Sequence, residues 1–143
     1  MANDIRLVIV GSIETAWPID KVPKVKDLIR TVFEEHWQIS DVRDDTPEGH
    51  EAPPALVIGS GESPAGGVDI WVRETALELG LPFKAFPPMG RNDWPAYKAR
   101  NNEMADWCTH LVRIASMDSK TYGSGWTRDQ AARQGKPTRE YRL

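Results

Sequence analysis

The residues most able to do chemistry in this chain sit where apolar runs give way to helical patterns. Gly59-Ser60-Gly61-Glu62 follows Ala55-Leu-Val-Ile58 and leads through Gly67-Val-Asp69 into an amphipathic stretch. Tyr122-Gly-Ser-Gly-Trp-Thr127 echoes it after His110-Leu-Val-Arg-Ile114. Glycines at 59, 61, 123 and 125 let backbone N–H groups approach an anion with no Cβ in the way, and the helix starts behind them add partial positive charge. A phosphate-bearing ligand is the expected guest. Ser60, Ser124 and Thr127 can donate hydroxyl hydrogen bonds to it, or can cap the helices that follow. Asp69 is expected to cap its helix or to accept from a ribose hydroxyl.

Arg100-Asn101-Asn102-Glu103-Met104 supplies a second constellation. Arg100 and Glu103 are three residues apart and share a helix face, which by itself predicts an ordinary surface ion pair. A fixed guanidinium forking onto phosphate is the functional expectation for Arg100, with Asn101 beside it, because lysine offers no such planar pair of donors. If the protein is a hydrolase, Glu103 and Glu62 are the candidate acid/base groups, since proton transfer needs a titratable side chain within hydrogen-bond reach. Trp126, inside the last glycine segment, either stacks on a base or plugs the pocket. His110 reads as a core histidine at a strand border.

Positioning these residues requires alternating strands and helices. Ile5-Arg-Leu-Val-Ile-Val10 is nearly continuous in aliphatic residues, the pattern of a strand covered on both faces. Val25, Leu28, Ile29, Val32, Phe33 and His36 recur at helical spacing after Pro23. A loop is expected from Ile39 to Pro54, then a strand over 55–58 and a helix through Val68, Val72, Ala76 and Leu79, ended by Gly80. Leu81–Phe86 reads as an edge strand, because proline is confined to strand starts and edges. A Pro/Gly-rich loop to Asp93, a helix over 94–108, a strand over 110–114, a helix over 127–134 stopped by Gly135 and a strand over 138–141 complete the order. This alternation predicts an α/β domain with about five parallel strands sandwiched by helices. Turns after successive strands then gather at one sheet edge, where ligands bind in such folds.

The 143 residues suit one domain spanning 1–143, and 40% apolar composition is enough for a real core. A net charge of −3 with a pI near 5.6 argues against a dedicated nucleic-acid binder. Charge is uneven: residues 120–143 hold six basic side chains against two acidic ones, and 41–54 hold five acidic against Arg43. Both read as solvated surface. Cys108 is the single cysteine, His36, His50 and His110 are far apart, and no ligand spacing for a metal is present, so neither metal nor cofactor is expected. No apolar run approaches a membrane span and no leader pattern opens the chain, which together predict a cytoplasmic protein. Six tryptophans are many for this length; Trp71, Trp94 and Trp107 on predicted helices suggest an apolar patch and a homodimer.

With its elements placed, the chain resembles the SLOG superfamily, a Rossmann-like group with YspA-type, DprA and Lonely Guy phosphoribohydrolase branches. The resemblance rests on Gly11-Ser12 after the first strand, Gly59-Ser60-Gly61 with Gly67-Val68-Asp69, Arg100-Asn101 with Met104, Gly123-Ser-Gly-Trp-Thr127, and Gly135-Lys-Pro137. It implies a homodimer and a pocket for a nucleotide or nucleotide-derived molecule, formed by Gly11, Ser12, the two glycine segments and Arg100. In the Lonely Guy branch it implies hydrolysis of the bond between base and ribose phosphate. That branch carries a glutamate after its last glycine turn, whereas this chain reads Thr127-Arg-Asp129. Nucleotide binding is therefore the leading expectation. Hydrolysis of N-glycosidic or phosphoribosyl bonds and a ligand-free interaction role are the alternatives.

Overall fold

The computed structural model describes residues 4–40, 56–87, 93–117 and 122–143. The acidic stretch at 41–54, His50 and the loop before Asp93 lie wholly or largely outside them. Within them the chain alternates β1 (Ile5–Gly11), α1 (Val22–Ile39), β2 (Leu56–Ser60), α2 (Val68–Glu78), β3 (Phe83–Ala85), α3 (Trp94–Trp107), β4 (His110–Ala115), α4 (Tyr122–Arg133) and β5 (Thr138–Arg142), with two short 3-10 turns between β1 and α1. The strands form one sheet in the order β3-β2-β1-β4-β5, every pair parallel. The expected Rossmann-like α/β sandwich of five parallel strands is the observed architecture, with the proline-flanked β3 at an edge.

Burial on both faces explains why β1 reads as an unbroken aliphatic run. Ile5, Leu7 and Ile9 point into a core shared with α1 and α2, while Val8 and Val10 point into a second core under α3 and α4. All five are at most 3% exposed. Each such side chain contributes about 1.5–3 kcal/mol of apolar burial. The α1 stripe Val25, Ile29, Val32, Phe33 and His36 is buried as its spacing predicts. That helix begins one residue before Pro23, because proline's missing N–H costs nothing in a first turn.

Two glycines end helices as the sequence predicts. Gly80 (φ 68°) and Gly135 (φ 76°) adopt the left-handed backbone. In both, the glycine N–H and the next N–H bond back to successive helical carbonyls, Leu77 and Ala76 in one case and Ala132 and Ala131 in the other. This paired arrangement satisfies carbonyls that a helix end would otherwise leave without partners.

The predicted start of α4 needs correction. Helix begins at Tyr122 and not at Thr127, so Gly123, Ser124 and Gly125 form its first turn instead of a loop. Thr127 Oγ1 donates to the Gly123 carbonyl at 2.9 Å, a one-turn contact possible only if these residues are helical. Glycine's weak helix propensity, about 1 kcal/mol below alanine, suggested a turn that tertiary packing overrides.

At the opposite, N-terminal edge of the sheet, His36 and His110 meet edge to face with centroids 5.5 Å apart. Burial lowers the pKa of each, and repulsion from His36 lowers that of His110 further. His36 Nδ1 also bonds the Val32 carbonyl at 2.7 Å. Its folded pKa lies below the ordinary 6.5, so the unfolded chain takes up the proton first and stability falls as pH drops through that value. Urea unfolding of the wild type and His36→Leu at pH 7.5 and 5.0 checks this: the variant gains stability relative to wild type at the lower pH.

Candidate functional site

All C-terminal strand ends share one edge, and the chain leaves β1 toward β2 on one side while β4 lies on the other. Connections diverge at such a reversal and leave a crevice. A cleft of about 290 Å³ opens there. Val10 and Gly11 of β1 meet Ser63, Ala65 and Asp69 from the β2–α2 connection and first turn of α2. Trp94, Tyr97, Arg100, Asn101 and Met104 of α3 form another wall, with Gly123, Ser124 and Thr127 of α4 and Ile13 completing the lining.

Asp69 and Arg100 dominate its electrostatics. Both are buried, at 8% and 7% exposure. Burial raises the Asp69 pKa from 3.8 to about 6, although attraction to Arg100 and a Ser63 backbone hydrogen bond oppose the rise. Burial lowers the Arg100 pKa, opposed by attraction to Asp69 and Tyr97. Arg100 does not engage Glu103, which is exposed. Its Nε donates to Asn101 Oδ1 at 2.9 Å, and one terminal nitrogen donates to the carbonyls of Gly61 and Phe86. What Arg100 can offer a guest is therefore its charge and, at most, its other terminal nitrogen. Asn101 Nδ2 reaches the Gly123 carbonyl at 3.4 Å, joining α3 to the start of α4.

The structure brings seven of the twelve expected binding residues to the cleft: Gly11, Asp69, Arg100, Asn101, Gly123, Ser124 and Thr127. The other five are not part of its lining. Ser12 is fully buried, its Oγ accepting from the Ser116 N–H at 2.9 Å. Ser60 is equally buried and donates to the Asp69 carbonyl at 2.7 Å. A Cβ on Gly59 would stand 2.7 Å from the Trp107 ring, and one on Gly61 would stand 2.5 Å from the Arg100 guanidinium. These two glycines admit neighbouring side chains. Gly125 faces Arg113, whose guanidinium carbon would be 3.7 Å from an added Cβ. Asp69 is the second residue of α2, so the cap position expected for it is held by Gly67.

Neither expected catalytic glutamate lines the cleft. Glu62 adopts φ 48° and pairs with Arg73 at 3.2 Å, while Glu103 is exposed. Asp129 pairs with Arg128 at 2.9 Å and is exposed. Among the described residues, Asp69 is the one carboxylate in the lining. Trp126 neither fills the cleft nor lines it: its Nε1 donates to Asn102 Oδ1, Lys98 covers its ring, and its ring meets Trp94 edge to face at 6.1 Å. The three helix tryptophans do not share a patch. Trp71 is buried in the α1/α2 core, Trp107 packs on Phe86 under α3, and Trp94 stands 46% exposed at the cleft.

Arg113 is the residue that reading for glycine turns overlooked. It lies inside β4, 5% exposed, and its Nε donates to Ser124 Oγ at 2.9 Å while a terminal nitrogen bonds Glu140 of β5. Burial opposes ionisation of Glu140, but hydrogen bonds from Arg113 and Arg142 and the charges of Arg113 and Arg128 outweigh it and lower its pKa. An arginine in a run that must be covered on both faces was the available signal, since a buried charge demands partners. Among the described residues no cluster of three or more His, Cys, Asp or Glu is placed to hold a metal, and no helix is long and apolar enough to cross a membrane.

The raised pKa of Asp69 makes its ionised form a net cost to folding. Its contribution is favourable below pH 3.8 and is lost as pH rises through 6, amounting to about 3 kcal/mol at neutral pH by linkage. Asp69→Asn is expected to be more stable than wild type at pH 7.5, by about 1–3 kcal/mol, and the gap closes toward pH 4. Urea titrations across that range check it. A less stable variant at pH 7.5 would show that attraction to Arg100 outweighs desolvation.

Comparison of the chain with protein-family models, with curated proteins and with solved structures returned no match, so the site is read from its own residues.

Proposed function

We propose that this protein binds a nucleotide or nucleotide-derived small molecule in the cleft between β1 and β4. The observation that carries the reading is the meeting, at the strand-order reversal, of a half-exposed tryptophan, a buried carboxylate and the first turn of α4. Ligands of α/β sheets bind in such crevices. Each part matches one part of a nucleotide. The Trp94 ring offers a flat apolar face for a base, Asp69 accepts hydrogen bonds from a sugar, and the N–H groups at the start of α4 suit a phosphate. A volume of about 290 Å³ suits one nucleoside phosphate better than a dinucleotide.

A ligand that binds only the folded state raises its apparent stability, by about 2.7 kcal/mol at a hundredfold excess over Kd. A thermal-shift panel of nucleoside monophosphates, cyclic nucleotides, NAD and ADP-ribose is expected to contain a clear hit. Gly123→Ala supplies the control. Its Cβ would meet Asn101 at an ordinary 3.5 Å, so the variant folds and gains about 0.5–1 kcal/mol of helix stability. It also puts a methyl group where a phosphate would approach the backbone, and its binding is expected to weaken. A silent panel, or a hit unaffected by Gly123→Ala, counts against the reading.

A hydrolytic role for the same cleft is favoured by Asp69 alone, a carboxylate whose pKa near 6 suits proton transfer close to neutrality. Incubating the panel hit with the protein and assaying for free base separates this role from binding alone.

A further inference from the structure

Resting on the nucleotide reading, the geometry points to a finer specificity: we infer that the cleft selects ribonucleotides over 2′-deoxyribonucleotides, with Asp69 accepting from the ribose hydroxyls while the base stacks on Trp94.

Charge arrangement is the first support. Asp69 is the one carboxylate lining the cleft among the described residues, and it lies beside Arg100, which already donates to Gly61, Phe86 and Asn101. A cationic guest at Asp69 would be set against that guanidinium, and an anionic one would be repelled by the carboxylate. Neutral donors suit the position best. A vicinal diol presents two adjacent O–H donors, and a carboxylate that accepts from the Ser63 backbone keeps further acceptor sites on its two oxygens.

Depth is the second. Trp94 is 46% exposed and Asp69 8%, both on the cleft lining. Trp94 meets Trp126 edge to face, so at most one of its ring faces is used. Trp126 is itself held by Asn102 and Lys98, which fixes the orientation of the pair. A base on the exposed ring therefore leaves its attached sugar on the inner, polar side. Tyr97 is less suited to stacking because the Arg100 guanidinium already stands 5.3 Å over its ring.

Titration calorimetry of the full chain at pH 7.5 with the four ribonucleoside 5′-monophosphates and their four 2′-deoxy counterparts tests the inference. For a base that binds, the ribonucleotide is expected to bind at least tenfold more tightly, the effect of one lost hydrogen bond to a charged group. Asp69→Asn is expected to reduce that ratio below about threefold, since a neutral amide accepts more weakly. The wild-type ratio stands alone if the variant fails to fold. Equal affinity within each ribo/deoxy pair overturns the inference and leaves the nucleotide reading intact. Discrimination among bases that ignores the sugar assigns Asp69 to a base edge and likewise overturns it. Absence of binding by all eight overturns the inference, and the nucleotide reading falls with it when the wider thermal-shift panel is silent too.

Discussion

Two guanidinium groups, Arg100 and Arg113, are buried at the same end of the sheet, and the loops and helix starts around them are arranged to surround that charge with oxygen. A buried cation without partners costs several kcal/mol. Arg100 is met by the Gly61 and Phe86 carbonyls, Asn101 Oδ1 and the nearby Asp69 charge. Arg113 is met by Ser124 and Glu140, and Glu140 is held in turn by Arg128 and Arg142. These contacts tie β2, the segment after β3, α3, β4, α4 and β5 together where the strand order reverses. The cleft is the space left between two such cages.

The glycines follow from the same packing. Gly61 has no side chain because Arg100 and Asp69 occupy the place a Cβ would take. Gly11 has none because Ile114 of β4 and Val68 of α2 close over it, with the Ile114 carbonyl 2.1 Å from the Cβ position. Gly67, at φ 86°, lets the connection into α2 pass against Ser12 and Glu14. Glycine-rich segments after strands are thus required by close approach of the protein to itself before any ligand arrives. Gly123 is different: it is helical, has room for a methyl group and faces the cleft.

Much of the architecture was legible because burial leaves a period in the sequence. β1 is apolar on both faces, α1 repeats at helical spacing, Gly80 and Gly135 fall where helices stop, and the proline before β3 marks an edge. The cleft was legible in part. Asp69, Arg100 and Asn101 stood out as polar residues at a loop or on a helix, and the structure places all three in the lining. Local reading failed where a residue's role is set by something distant in sequence. Ser12 is held by Ser116, Ser60 by the carbonyl of Asp69, and Gly59 by the ring of Trp107. No spacing rule reports such partners. The first turn of α4 was misread for a related reason: two glycines and a serine lower helix propensity, and only its packing on α3 and the Arg113–Ser124 bond reveals the helix.

Because both buried cations are largely satisfied by the protein, the cleft is not a cationic funnel. Arg100 has spent its Nε and one terminal nitrogen on internal oxygens, and Asp69 counters its remaining field. Attraction for a phosphate must then come mainly from the start of α4, where a helix end supplies about half a positive charge that fades within a turn. Such a site gives an anion direction more than affinity. The balance of binding falls on an aromatic ring at the mouth and a carboxylate at depth, and these respond to a ring system and to hydroxyl groups. A bare phosphate or pyrophosphate should therefore bind this cleft poorly, and the sugar and base should carry most of the discrimination.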